Sequence, residues 1–192
     1  MSSHCPKPHK ASLFSPIHGS NDMEKRVSAC DWLSSWLKFQ RMMGKKGCVI
    51  FDIDQTLVDE KEEPLQPVVD ILHLTLQLNL IPIIITARPD FSENVQYTTE
   101  LLKSIGLKYE RLFMMPHAIE PTFESVSTYK RSARNVVAKE FDILANIGDM
   151  WTDLVQFPLE KNQFIVDRDR SECAIFFPEG EHEEVSVKIP SY

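Results

Sequence analysis

Little in this chain of 192 residues points to a covalently stapled or membrane-borne framework. Its four cysteines, Cys5, Cys30, Cys48 and Cys173, are scattered with no C-x-x-C pair. That spacing offers no readable disulfide framework and no paired-cysteine metal knuckle, so reduced thiols are expected. The longest apolar run, Leu80 to Ala87, is far too short to span a bilayer. The first twenty residues contain no apolar stretch of signal-peptide length. A cytoplasmic location without a membrane partner is the resulting expectation. Positive charge is also in short supply, with 21 Lys and Arg against 28 Asp and Glu and a net charge of -7, which disfavours nucleic acid as a partner. Gly44-Lys45-Lys46-Gly47 superficially resembles a phosphate loop, but it lacks the G-x-x-x-x-G-K-[ST] frame and precedes a strand instead of a helix.

What remains is an ordinary globular composition, 43% hydrophobic and 26% charged, at a length suited to one domain. Residues 1–20 mix Ser, His, Pro and Lys without a hydrophobic period and read as a mobile tail, with residues 21–192 forming a single domain. His4, Cys5 and His9 match no standard metal-ligand spacing. Asn21 or Asp22 caps an expected helix whose stripe runs through Val27, Cys30, Leu33, Leu37 and Met42, with Gly44 ending it. Trp32, Trp36 and Phe39 on this helix suit core packing, a homo-oligomer contact or a shield over a neighbouring site.

Beyond Gly47, apolar runs alternate with amphipathic segments: CVIFDID, VVDILHLTLQLN, LIPIIITA, SENVQYTTELLKSIG, RLFMMP, YKRSARNVVAKEF, ILANIGD and QFIVD, then CAIFF and EVSVKI as further strands. This alternation argues for an α/β fold with a Rossmann-like, doubly wound and mostly parallel sheet. Ligands of such sheets sit at the carboxyl ends of the strands.

The chemistry gathers at those ends. Val49-Ile50-Phe51-Asp52-Ile53-Asp54-Gln55-Thr56-Leu57 delivers two aspartates onto one side of a strand, where like charges call for a cation or a shared proton. Ile83-Ile84-Ile85 ends in Thr86-Ala87-Arg88-Pro89, Lys130 opens an expected helix, and Ile147-Gly148-Asp149-Met150-Trp151-Thr152-Asp153 closes a later strand. Singly, each segment has a bland reading as turn, cap or solvated surface. Their joint order resembles the four motifs of the haloacid dehalogenase-like superfamily, over about residues 47 to 168. Gly-Asp-Met-Trp-Thr-Asp-Leu, with Lys130 and Arg134 one turn apart, resembles the plant-type and bacterial class B acid phosphatases, which commonly carry Gly where this chain has Ala87.

The resemblance implies a magnesium-dependent phosphatase that hydrolyses phosphate monoesters. Asp52 would be the nucleophile forming an aspartyl-phosphate, and Asp54 the general acid and base. Magnesium would lie on the Asp52 carboxylate, the Asp54 main-chain carbonyl and Asp149. Thr86, the Ala87 amide and Lys130 would hold the phosphate, with Asp153, Arg88 and Arg134 in support. A short flap around residues 58–64 leaves no room for a large cap domain, so expected substrates are phosphorylated small molecules or accessible phosphorylated macromolecules. The non-enzymatic rival is a catalytically silent member that binds phospho-ligands or serves as a storage or scaffold protein.

Overall fold

The structure, a computed structural model, describes residues 14–153, 174–176 and 185–191. Expectations for His4, Cys5, His9, Cys173 and the QFIVD run lie outside these residues. One seven-stranded sheet forms the centre. Its strands are β1 (Phe14–Pro16), β2 (Cys48–Phe51), β3 (Ile81–Pro89), β4 (Arg111–Met115), β5 (Ile143–Gly148), β6 (Ala174–Phe176) and β7 (Val185–Lys188). They lie in the order β1-β6-β7-β5-β2-β3-β4. Strands β7, β5, β2, β3 and β4 are mutually parallel, and β6 and β1 extend the β7 edge by antiparallel pairing. β1 falls inside the stretch read as a tail; backbone pairing to an edge needs donors and acceptors but no hydrophobic period.

The helices are α1 (Asp22–Met42), α2 (Gln66–Gln77), α3 (Ser92–Ser104) and α4 (Phe123–Val137). The crossovers β2–α2–β3 and β3–α3–β4 advance in one direction along the sheet, whereas α4 returns the chain from β4 to β5 on the other side of β2. Right-handed crossovers therefore put α2 and α3 on one face and α4 on the opposite one. The two cores follow this division. Val49, Phe51 and Ile84 pack with Leu33, Leu37, Leu72 and Leu102, while Cys48, Ile50, Ile83 and Ile85 pack with Ala133 and Val137. Burying a side chain of this kind stabilises by about 1.5–3 kcal/mol.

The helices meet some local expectations and change others. Asn21 is the cap of α1, accepting the Glu24 amide at 2.9 Å. Cys30, Leu33 and Leu37 are buried, but Val27 is 39% and Met42 76% exposed, because the buried stripe shifts toward Arg26, Ala29 and Gln40. Trp32 and Trp36 stack on each other at 5.6 Å and pack against the core, so this helix packs on the sheet. α4 begins at Phe123, ahead of the amphipathic segment YKRSARNVVAKEF that the sequence marks as helical. A reciprocal cap starts the helix: the Ser125 amide donates to Thr122 Oγ1 at 3.1 Å and the Thr122 amide to Ser125 Oγ at 2.9 Å. Lys130 accordingly sits about two turns inside the helix instead of at its start. Among the described residues, no helix is long and apolar enough to cross a membrane.

Candidate active site

β2 is the switch point, with its successor β3 on one side and the late strand β5 on the other. A crevice opens at the carboxyl end of such a strand. Asp52 continues the ladder there, donating its amide to the Ile147 carbonyl at 3.1 Å. The chain then coils tightly, and the Ile53 carbonyl accepts the amides of Thr56, Leu57 and Val58 at 3.2, 2.8 and 3.1 Å. This coil forces Gln55 to φ 58°, a left-handed conformation costing about 1–2 kcal/mol outside glycine. Buried Thr56 locks the coil to the neighbouring loop by accepting the Asp149 amide at 3.1 Å.

Lys130 reaches this point from α4. Its ammonium donates to Asp52 Oδ1 at 2.7 Å and to Asp153 Oδ1. Asp153 arrives on a 3-10 turn, Trp151–Asp153, and also accepts the Met150 amide at 2.9 Å. Arg134, one turn along α4 from Lys130, donates to the Asp153 carbonyl at 2.9 Å and pins the turn. Gly148 makes the fold of this loop possible, since a methyl group there would overlap the Asp153 carboxylate.

Asp52, Asp149 and Asp153 are all buried, and each offers an oxygen within 4.8 Å of the others. Burial, reinforced by Asp153, pushes Asp52 well above the usual carboxylate range despite Lys130. Burial and then Asp153 push Asp149 up to about 7. Lys130 remains firmly protonated: burial works against its charge, but Asp153 and Asp52 more than offset that. Lys130, with Lys188 acting on Asp149, supplies two cations to three carboxylates, and three oxygen donors with negative charge in excess fit a hard divalent cation.

Asp54 stands apart from this cluster. Its carboxylate, 52% exposed, is gripped at both oxygens by Arg88, at 2.6, 3.0 and 3.1 Å. Thr86 is buried at the end of β3 and accepts the Arg88 amide at 3.2 Å. Ala87, Asp52, Asp54, Lys130 and Asp149 all line one cavity of about 380 Å³. The structure thus brings together Asp52, Lys130, Asp149 and Asp153 by direct geometry, with Asp54 and Ala87 on the same cavity.

Sequence reading missed Glu62, Tyr97 and Lys188. Glu62 accepts from Arg88 at 3.2 Å and from the Tyr97 hydroxyl. Lys188, buried on β7 beside Gly148, favours the charged form of Asp149. Neither flap glutamate nor strand lysine stands in a motif. The only available signal was a charged residue inside the short apolar run EVSVKI.

A family model described as HAD superfamily, subfamily IIIB (Acid phosphatase), matches residues 58–180. Thr86, Lys130, Asp149 and Asp153 fall within the match, and Asp52 and Asp54 lie just ahead of it. The chain is also 38% identical over 90 residues to Vegetative storage protein 1 of Arabidopsis thaliana, an alignment covering 44% of this chain and 32% of that protein. The chain therefore spans about a third of that relative's length. On the family match, which takes in well over half of its residues, the chain belongs to the acid phosphatases of HAD subfamily IIIB.

Proposed function

We propose that this chain is a magnesium-dependent phosphatase that hydrolyses phosphate monoesters through an aspartyl-phosphate on Asp52. The observation that carries this reading is the buried Asp52 carboxylate at the end of the switch-point strand, ion-paired to Lys130 and clustered with Asp149 and Asp153. Phosphoryl transfer to a carboxylate needs positive charge around the transferring group and an aimed nucleophile. Lys130 supplies the protein's own cation, at hydrogen-bond distance from the nucleophile. Asp52, Asp149 and the Asp54 main-chain carbonyl would hold magnesium, with Asp153 in reach, and the ion would neutralise charge developing on the phosphoryl oxygens. Thr86 and the Ala87 amide bind phosphate at the end of β3. Asp54 gives its proton to the departing oxygen as the Asp52–phosphorus bond forms and the ester bond breaks. As a carboxylate, it then takes a proton from the water that releases phosphate.

The flap is only a turn, and no domain is inserted between β2 and β3. The site therefore suits both phosphorylated small molecules and phosphate groups on accessible macromolecules. A second reading, a phosphate-binding storage protein without turnover, draws on the name of the Arabidopsis relative. Hydrolysis of p-nitrophenyl phosphate with magnesium separates the two: the wild-type chain turns over and Asp52→Asn loses at least about a thousandfold. Equal background rates from both chains leave the storage reading standing.

A further inference from the structure

The clamp on Asp54 continues outward. Arg88 holds both Asp54 oxygens and also donates to Glu62 Oε1 at 3.2 Å, while the second Glu62 oxygen accepts the Tyr97 hydroxyl. These four side chains come from separate places: the end of β2, the flap, the end of β3 and α3. The flap is shaped to present Glu62. Asp59 Oδ1 accepts the amides of Lys61 and Glu63 at 2.8 and 2.9 Å, and the Glu62 amide donates to the Asp59 carbonyl at 3.0 Å. Glu62 itself takes φ 62°, a conformation disfavoured for a residue with a Cβ. A strained turn that aims a carboxylate at a guanidinium already serving another carboxylate is an unusual local choice, and strain of this kind gathers at functional sites.

We propose that Glu62 and Tyr97 are positioning residues for the second half of the reaction, acting through Arg88 to hold the orientation of Asp54. The inference rests on the phosphatase reading above. An arginine alone is long and has several staggered conformers at each carbon. Anchored by Glu62, which Tyr97 anchors in turn, its planar fork stays aligned with Asp54. An oriented Asp54 suits the base step, in which it takes a proton from attacking water while the Asp52–phosphorus bond breaks and phosphate leaves. Forming that bond in the first place, with p-nitrophenolate as leaving group, needs no proton from Asp54.

The two steps can therefore be separated with p-nitrophenyl phosphate and magnesium, using wild type, Glu62→Gln and Tyr97→Phe. Loosened positioning is expected to cut steady-state turnover about tenfold while the initial release of p-nitrophenol stays within about twofold. Acid quenching should then trap a larger fraction of phosphorylated chain in both variants. Tyr97→Phe removes one hydroxyl from a 49% exposed side chain, so its reading does not depend on refolding the flap. Turnover that falls without accumulation of phosphorylated chain, or variants equal to wild type in both phases, overturns the positioning role alone. A wild-type chain with no magnesium-dependent turnover overturns the phosphatase reading and this one with it.

Discussion

Two ion-pair clusters flank one cavity, built around aspartates only two positions apart, and they differ in almost every physical respect. Around Asp52 the groups are buried: Asp52, Asp149 and Asp153 share Lys130, whose side chain is 4% exposed. Around Asp54 the groups are wetter, with Arg88 between Asp54 and Glu62, whose side chains are 52% and 34% exposed. The strand β2 ends at Phe51, so the coil that follows Asp52 and the surroundings of each side chain set the two apart. Lys130 and the Asp149 loop enclose the first aspartate, while the flap leaves the second half open. Under the proposed reaction, the enclosed carboxylate is the one that attacks phosphorus and the wetter one the one that exchanges protons with water.

Removing each cation should expose this contrast. Lys130→Met strands buried carboxylates without their partner, and a loss of about 3–5 kcal/mol in urea unfolding is expected, together with loss of turnover. A variant as stable as wild type would mean the buried pair contributes nothing to the fold. The second test uses pH. Asp149 titrates at about 7 in the folded chain against an ordinary 3.8. Between those values the folded chain keeps a proton that the unfolded chain has released, so stability without metal falls as pH rises from about 4 to 7. Magnesium competes with that proton and should raise the melting temperature more at pH 7 than at pH 5, where a hundredfold excess over its dissociation constant at pH 7 corresponds to about 2.7 kcal/mol of added stability. A flat metal-free profile, or an equal magnesium effect at both pH values, contradicts this. The smallest change is expected for Arg88→Met, whose ion pairs reach water: a stability loss under about 1 kcal/mol, measured the same way. A loss comparable to Lys130→Met would erase the distinction between the clusters.

Much of the buried cluster was legible in sequence because each member ends a strand or stands in a motif at fixed spacing. Asp52 follows Val49-Ile50-Phe51, and Gly148-Asp149 closes β5, so local order already places them. Lys130 was legible in identity but not in position, because the T-x-x-S cap that starts α4 at Phe123 hid within a segment rich in turn formers. The half-exposed cluster was largely illegible. Arg88 finds Asp54 34 residues away, and Tyr97 finds Glu62 35 residues away, through contacts that no periodicity encodes. The edge strand β1 escaped for a related reason, since three residues are too few to carry a pattern.

The switch-point topology also governs how the chain is made. β2 can pair with β3 soon after both leave the ribosome, but its other edge waits for β5, whose Ile143 faces Cys48 from 95 positions later. At about 5–20 residues per second the nascent chain carries that apolar, unpaired edge for roughly 5–20 s. An exposed edge of this kind is a template for pairing with other chains. Substitutions that slow the emergence or docking of β5 should therefore first appear as poor soluble yield during expression, before any defect in the folded protein.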